Sequence, residues 1–282
     1  MPVPLERKSV RRAFERAVPG YDEAAVLQRR SADELLERLD GLRLDPKRIA
    51  DLGCGTGYLT RELETRFPAA FVAGVDFVPL MLKQAQRAGN ACYLAADAER
   101  LPLPDRAIDL AVSNALLQWC EPQKFFRECA RVLRPGGMLA FTSYGPDTLR
   151  ELRAAWAAVD EGVHVHEFND MHDLGDLLIE EGFSDPVLDV ERVTLNYAQA
   201  EDLLRDLKRI GAVNAAAARA RGLTGKARFR ALLRRCEETR RPDGRIHATF
   251  EIVYGRAVSG GRRSFRQDDG AIAVPLSELR RG

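Results

Sequence analysis

The sequence predicts an α/β fold in which a mostly parallel sheet carries helices on both of its faces. Five short apolar runs between residues 46 and 143 alternate with helix-like segments, and a glycine-rich turn follows the first run directly. Two further strand-like runs come late in the chain. Strands that alternate with helices build a parallel sheet, because each crossover lays a helix against one face. With 45% hydrophobic residues, the 282-residue chain can bury a large core.

The first half of the chain supplies the elements of this core in order. Residues 5–40 carry two helical patterns with an interruption at VPGY. The next helix, TGYLTRELETRF, places Leu59, Leu63 and Phe67 on one face. Two more helices are expected, one from Pro79 to about Arg87 and one at EPQKFFRECARVL. The second of these is expected to end at RPGG. The five predicted strands are RIADL, FVAGVD, CYLAAD, AIDLAVSN and MLAFTS.

The second half predicts the edge of the sheet and a helical insertion. Helices are expected at TLRELRAAWAAV and HDLGDLLIEEG, and strands at VLDVERVTLNY and ATFEIVYGRAV, which can pair antiparallel. We predict one domain over residues 1–258: helices over the site (1–45), a cofactor-binding core (46–143) and a substrate half (144–258) with an insertion at about 199–245. The Arg-, Gly-, Ser- and Asp-rich tail, 259–282, is expected to be disordered.

Composition limits the classes of function. The net charge of +1 argues against a chain that is basic throughout and coats nucleic acid or anionic membrane. No apolar run approaches the ~18 residues of a membrane span, and the basic N-terminus lacks the apolar core of a secretory signal. The five cysteines form no CxxC pair, which predicts reduced thiols in a cytoplasmic protein and no metal site.

The glycine-rich stretch DLGCGTG is the first candidate binding site. Gly53, Gly55 and Gly57 follow the spacing G-x-G-x-G, and Tyr58 stands where G-x-G-x-x-G would continue. A glycine turn between a first strand and a helix binds nucleotides in open α/β sheets. Asp51 before the turn would repel a diphosphate but could pair with the ammonium of an amino-acid tail. These features favour S-adenosyl-L-methionine over a dinucleotide.

The ends of the next strands offer further cofactor-binding residues. Asp76 comes where a carboxylate can accept from both ribose hydroxyls, and Asp97 could accept from the exocyclic amine of adenine. Each acid could instead be a helix cap or a solvated loop residue. Asn114 and Gln118 are expected near the sulfonium or the amino-acid end. Three apolar residues could sandwich the adenine ring: Phe77, Met81 and Ala98.

The motifs DLGCGTG, GVD, AADAERLPLPDRAIDL and RVLRPGG resemble those of class I S-adenosylmethionine-dependent methyltransferases. Stretches such as AFERAVPGYDEAAVLQ, SYGPDTLRELR, HVHEFNDMHDLGDLL and DGRIHATFEIVYG extend the resemblance, over residues 10–258, to the malonyl-acyl carrier protein O-methyltransferases of biotin synthesis. This resemblance implies a Rossmann-like, seven-stranded sheet whose last strand is antiparallel. It also implies methylation of the free carboxylate of a malonyl thioester, carried by acyl carrier protein or by coenzyme A, with S-adenosyl-L-homocysteine as product.

The implied reaction needs no general base, because a malonyl carboxylate is already ionised at neutral pH. The rate would come from alignment and from the exclusion of water.

By resemblance, Tyr21 and Gln28 are near the cofactor, although Tyr21 could equally anchor a helix start. Arg150 could orient the substrate carboxylate, or it could pair with Glu151 or another acid. His164, His166 and His172 cluster in sequence, and we favour ordinary structural roles for them.

A local excess of positive charge lies in the insertion. Between residues 205 and 241 there are twelve Lys or Arg residues against three acids. In KARFRALLRRCEETRR, an inward stripe of Phe229, Leu232, Leu233 and Cys236 would leave the basic residues outward. Acyl carrier proteins are acidic, so we predict a docking surface here, with a merely solvated helix as the alternative. The scarcity of aromatic residues disfavours nucleic acid. The predicted docking residues are Arg228, Arg230, Arg234 and Arg235.

Three other functions remain open on the sequence. The first is another class I methyltransferase, acting on a small carboxylic acid, a quinone or a protein side chain. The second is an assembly factor related to enzymes that modify protein arginine, which share a stretch like SYGPDTLRELR. The third, a nicotinamide oxidoreductase, is disfavoured by the glycine spacing.

Overall fold

The computed structural model describes residues 5–212, 225–260, 265–266 and 272–273. One seven-stranded sheet has the spatial order β3-β2-β1-β4-β5-β7-β6. The first five strands pair in parallel, and β7 runs antiparallel to both β5 and β6. The predicted fold class is therefore confirmed. The strands are β1 (Arg48–Leu52), β2 (Phe71–Asp76), β3 (Cys92–Ala95), β4 (Ile108–Ser113), β5 (Leu133–Tyr144), β6 (Phe183–Tyr197) and β7 (Ile246–Ser259).

Helices cover both faces of this sheet and enclose two hydrophobic cores. The core on one face contains residues of α3, α4, α7, α9 and α10, and the core on the other contains residues of α6 and α8. The described helices are α1 (Arg7–Ala17), α2 (Tyr21–Ala24), α3 (Val26–Asp40), α4 (Tyr58–Arg66), α5 (Pro79–Ala88), α6 (Pro122–Val132), α7 (Arg150–Ala157), α8 (Met171–Glu180), α9 (Ala200–Arg209) and α10 (Lys226–Glu238). The interruption predicted at VPGY is a 3-10 turn, Val18–Gly20.

The strand β5 is longer than predicted. It begins at Leu133 instead of Met138, so RPGG belongs to the strand and not only to the end of α6. Leu133 pairs with Ile108 of β4, and the register shifts before Leu110. A Cβ at Gly137 would lie 2.9 Å from the Arg134 carbonyl oxygen, so the glycine permits this irregular pairing.

The insertion between β6 and β7 contributes α9 and α10, and its residues 213–224 lie outside the described part of the chain. α10 packs against α7 and α9 through Leu232 and Cys236, both buried. The four arginines predicted to face outward on α10 are all exposed. Phe229 was expected in the inward stripe, but its side chain is 40% exposed, because α10 buries only its later turns.

Among the described residues, no helix combines the length and the apolar character that crossing a membrane would require. In the tail predicted to be disordered, Phe265–Arg266 and Ile272–Ala273 form a small antiparallel pair, and the other residues after 260 lie outside the described part.

Candidate functional site

The glycine-rich turn lies between β1 and α4, at the carboxyl edge of the parallel strands. Gly53, Gly55 and Gly57 all have positive φ, at 75°, 55° and 81°. The backbone amides of Gly53 and Cys54 both donate to the Val75 carbonyl, at 2.7 and 3.0 Å, which anchors the turn to β2. A Cβ at Gly53 would lie 2.9 Å from the Leu116 side chain, so this position needs glycine for space as well as for conformation.

A cavity of about 210 Å³ opens above this turn, and we call it the first cavity. Residues of the N-terminal helices α2 and α3 form one wall of this cavity, which we call its roof. It is lined by Tyr21, Asp22, Ala25, Gln28, Arg29, Ala32, Asp51, Gly53, Cys54, Gly55, Thr56, Tyr58, Leu59, Arg61 and Asn114. Thr56 Oγ1 in the turn donates to Asp22 Oδ1 of the roof at 2.5 Å, which holds the two walls together.

Two buried carboxylates lie beneath the first cavity. Asp51 is 1% exposed and accepts from Thr60 Oγ1 at 2.6 Å. Burial raises the pKa of Asp51 to about 7, against the lowering effect of the Thr60 hydrogen bond. Asp76 accepts from the backbone amides of Gly55 and Val78, at 3.0 and 2.7 Å, and burial raises its pKa to about 6. Neither carboxylate has an ion pair among the described residues, so a cationic ligand would be stabilised here.

Most of the predicted cofactor residues surround this cavity. Asp51, Gly53, Gly55, Gln28, Asn114 and Tyr21 line it, while Gly57 closes the turn and Asp76 underlies it. The predicted adenine end is different. Asp97 accepts from the Arg7 guanidinium at 2.5 Å, and this guanidinium lies 5.7 Å from the centre of the Phe77 ring. Met81 and Ala98 are buried. α1 therefore covers the adenine end, and none of these four predicted residues lines the first cavity.

A second, smaller cavity of about 90 Å³ adjoins the first. Its walls come from the end of β5, from α9, from β7 and from the segment 158–170, which follows α7. Several of the lining side chains are aromatic. Tyr21 and Gln28 line both cavities and so form a shared wall. The second cavity is lined by Phe14, Tyr21, Gln28, Ala115, Gln118, Trp119, Tyr144, Thr148, Leu149, Leu152, His164, Val165, His166, Phe168, Leu207, Ile210, Ala212 and Phe250.

Asn114 organises the junction of the two cavities. Its Nδ2 donates to the backbone carbonyl of Gln28 at 2.8 Å. Its Oδ1 accepts from Ser31 Oγ at 2.8 Å and from Thr142 Oγ1 at 2.7 Å. One side chain at the end of β4 thus connects α3 to β5. Gln118 was predicted, like Asn114, near the sulfonium or the amino-acid end of the cofactor, but it lines the second cavity and not the first.

Several buried polar atoms in the second cavity have no hydrogen-bond partner among the described residues. They are Gln28 Oε1, Gln118 Oε1 and His166 Nε2. Buried polar groups are normally paired, so atoms of this kind point to ligand contacts. Burial raises the pKa of Tyr21, which keeps its hydroxyl protonated, and nearby Asp76 and Asp22 add to the effect.

The structure places Arg150 away from both cavities. Its guanidinium is exposed and lies 3.6 Å from Asp147 and 3.4 Å from Glu151, which is the alternative that the sequence left open. Conversely, no pattern in the sequence predicted that the aromatic residues Trp119, Tyr144 and Phe168 line the second cavity. Tyr144 is the last residue of β5, whereas Trp119 follows β4 and Phe168 follows α7, so no local spacing joins them. The stretch HVHEF, which contains His166 and Phe168, was the one sequence signal for this wall of the second cavity.

The chain is similar in sequence to known methyltransferases. A family model described as a methyltransferase domain matches residues 50–141. The malonyl-(acyl-carrier protein) O-methyltransferase of Halorhodospira halophila is 46% identical, over 98% of this chain and 96% of that protein. The protein of the same name from Gallionella capsiferriformans is 43% identical, over 97% of both chains.

Solved structures show the same fold at low sequence identity. The YcgJ protein of Bacillus subtilis has a TM-score of 0.57 at 15% identity, over 82% of this chain and 98% of that one. Haemonchus contortus phosphoethanolamine N-methyltransferase 2, solved with S-adenosyl-L-methionine, has a TM-score of 0.51 at 20% identity, over 81% of this chain and 52% of that one. The close relatives decide the family: the chain belongs to the malonyl-(acyl-carrier protein) O-methyltransferases, within the class I S-adenosylmethionine-dependent methyltransferases.

Proposed function

We propose that this enzyme methylates the free carboxylate of a malonyl group carried as a thioester on acyl carrier protein, and that the methyl ester primes synthesis of the pimeloyl chain of biotin. The observation that carries the proposal is the wall shared by the two cavities. Tyr21 and Gln28 each line both, so a donor in the first cavity and an acceptor in the second would meet across these side chains.

The first cavity suits the methyl donor of this family. S-adenosyl-L-methionine supplies a methyl group on a cationic sulfur. Asp51, buried and without an ion pair among the described residues, would hold the ammonium of the amino-acid tail. Asp76 would accept from the ribose hydroxyls, because each of its carboxylate oxygens accepts only one backbone amide and keeps a lone pair. Asn114 lies at the junction where the sulfur would stand.

The second cavity suits a carboxylate that must remain a nucleophile. None of the described residues that line it is Lys or Arg, so no ion pair would lower the reactivity of the carboxylate. The transfer joins an anion to a cation and disperses charge, so an ion pair with the attacking oxygen would slow it. Neutral donors and an aromatic, water-poor wall provide alignment instead.

The basic face of α10 supports the carrier protein as partner. Arg228, Arg230, Arg234 and Arg235 are exposed there. Arg228 lies 3.5 Å from Asp160, and Asp160 bonds His164 of the second cavity at 2.6 Å. An acidic protein docked on α10 would therefore lie next to the segment that covers the acceptor cavity. The five cysteines are free thiols, which fits the cytoplasmic setting expected for such a partner.

Turnover with defined acceptors tests the proposed reaction. We expect pure protein with S-adenosylmethionine to add the mass of one methylene group to malonyl-carrier protein, detected by mass spectrometry of the intact carrier. Acetyl-carrier protein is the matched control, because it lacks the free carboxylate and should gain nothing. Methylation of a quinone, a free small acid or a protein side chain with none on malonyl would contradict the proposal and favour the other class I enzymes.

A charge reversal on α10 tests the partner. We expect Arg234→Glu with Arg235→Glu to lower kcat/KM for malonyl-carrier protein about tenfold or more, and to leave malonyl-coenzyme A turnover and S-adenosylmethionine binding unchanged. Lys83→Glu with Arg87→Glu on α5 is the matched control, since both residues are exposed and the charge change is the same. Equal losses with both carriers, or no loss, would contradict α10 as the docking surface.

A further inference from the structure

His166 occupies a fixed position in the wall of the second cavity. Its ring centre lies 5.2 Å from that of Trp119 and 4.7 Å from that of Phe168. Trp119 in turn contacts Phe14 of α1 edge-on, at 5.4 Å. Aromatic rings from α1, the turn after β4 and the segment 158–170 therefore hold this imidazole, and the rings leave it little freedom to turn.

The Nε2 atom of this ring is buried without a hydrogen-bond partner among the described residues. His166 Nε2 is excluded from solvent and has no hydrogen bond among the described residues. Leaving such an atom unpaired is unfavourable, because it has lost its bonds to water without gaining another. The other histidines differ: His164 Nε2 bonds Asp160 at 2.6 Å and its ring stacks on Trp156, His247 Nε2 bonds Asp243 at 2.8 Å, and His172 is exposed.

The imidazole is a neutral donor at neutral pH. Burial, with a smaller effect from nearby Arg153, lowers the pKa of His166 to about 4. Arg153 itself donates to the backbone carbonyls of Pro146 and Thr148, at 2.9 and 3.1 Å. One ring nitrogen of neutral His166 carries a proton, so the residue can bond an anionic oxygen without forming an ion pair.

Complementarity assigns the partner of this nitrogen. The acidic end of a malonyl thioester offers only acceptor oxygens, on its carboxylate and its thioester carbonyl. Two unpaired atoms of the second cavity, Gln28 Oε1 and Gln118 Oε1, are also acceptors. Gln118 Nε2 already donates to the Ala115 carbonyl at 2.6 Å. Of these three unpaired atoms, His166 Nε2 is the one that can donate to the acyl group, in the tautomer that carries the ring proton on Nε2.

We propose that His166 is a positioning residue for the acceptor: its Nε2–H donates to an oxygen of the malonyl group and orients the carboxylate toward the wall shared with the first cavity. This inference rests on the proposed function and deepens it. It replaces Arg150 as the residue that orients the acceptor, and it assigns a functional part to a histidine for which the sequence favoured a structural one.

Two substitutions of different chemistry test the role. His166→Leu removes the donor, and His166→Gln keeps an amide nitrogen near the position of Nε2. We expect the leucine variant to raise KM for malonyl thioester about tenfold or more, and the glutamine variant to recover most of this loss. Both should bind S-adenosylmethionine within about twofold of the unsubstituted enzyme, because His166 does not line the first cavity. His172→Leu is the matched control, since His172 is exposed.

A spectroscopic readout separates positioning from packing. In the enzyme with S-adenosylhomocysteine, we expect malonyl-coenzyme A to shift the Nε2 resonance of His166 in nitrogen NMR, and acetyl-coenzyme A to shift it less. A leucine variant with unchanged KM, a glutamine variant no better than leucine, or no NMR shift would each overturn the inference. Absence of malonyl turnover by the unsubstituted enzyme would overturn the proposed function together with it, whereas turnover with an unaffected leucine variant overturns the inference alone.

Discussion

The side-chain amide of Asn114 donates a hydrogen bond of 2.8 Å to the backbone carbonyl of Gln28. This bond joins the carboxyl end of a central strand to the helix that roofs both cavities. Gln28 belongs to the wall that the cavities share, so the geometry of donor and acceptor depends on one residue at the end of β4.

Replacing Asn114 by Ala should weaken cofactor binding and turnover together. The substitution removes the bond to Gln28 and leaves Ser31 and Thr142 without their shared acceptor. Lost hydrogen bonds in such a buried network cost about 1–3 kcal/mol, so we expect Kd for S-adenosylmethionine to rise about tenfold to a hundredfold. Titration calorimetry measures this. The exposed Asn90→Ala is the control, and an Asn114→Ala variant with unchanged Kd would contradict the assigned role.

Cofactor affinity should increase with pH between about 5.5 and 8. Burial raises the pKa of Asp51 to about 7 and that of Asp76 to about 6, so the free protein carries protons that must leave when a cationic ligand binds. Below these values Kd should rise by up to about tenfold per pH unit for each proton released. Calorimetry in buffers of different ionisation enthalpy counts the protons. A flat pH profile would contradict Asp51 as the ammonium partner.

The same carboxyls give the free protein the opposite trend in stability. Their pKa values are higher in the folded state than the usual 3.8, so folding favours the protonated form. Their contribution is fully present below about pH 4 and is lost as pH rises through about 7. We expect Asp51→Asn to reduce this loss in the free energy of unfolding, measured by denaturant titration at several pH values. Identical pH dependence in the two proteins would exclude the effect.

The glycines of the turn should differ in their tolerance of alanine. Gly53 and Gly55 both have positive φ, but a Cβ at Gly53 would meet Leu116 at 2.9 Å, whereas one at Gly55 would meet nothing within 4 Å. Gly55→Ala should therefore cost about 1–2 kcal/mol for the left-handed backbone. Gly53→Ala should cost about 1–3 kcal/mol more for overpacking. Thermal unfolding of the two variants compares them directly, and equal losses would contradict this account.

Arg150→Ala should have little effect on the acceptor. The guanidinium is exposed and pairs with Asp147 and Glu151, and such surface pairs contribute at most about 1 kcal/mol. We expect KM for malonyl thioester to change less than about twofold. Phe168→Ala, which truncates a wall of the second cavity, should raise KM about tenfold. A large effect of Arg150→Ala in steady-state kinetics would restore the original interpretation of this residue.

The parallel core, the glycine turn and the two acids beneath it could be predicted from the sequence. These features are local: the carboxyl ends of parallel strands meet at one edge, so residues that follow each strand come together once the strands are identified. Asp51, Asp76 and Asn114 were found in this way. The antiparallel edge of β6 and β7 also followed from local patterns.

The surroundings of that edge could be learned only from the three-dimensional structure. It put Arg7 against Asp97, turned Arg150 toward solvent and assembled the second cavity from residues as far apart as Phe14 and Phe250. Contacts of this kind depend on how α1 and the segment 158–170 pack over the sheet. That packing is set by the sum of many distant apolar and polar contacts, and no spacing within a short stretch of sequence records it.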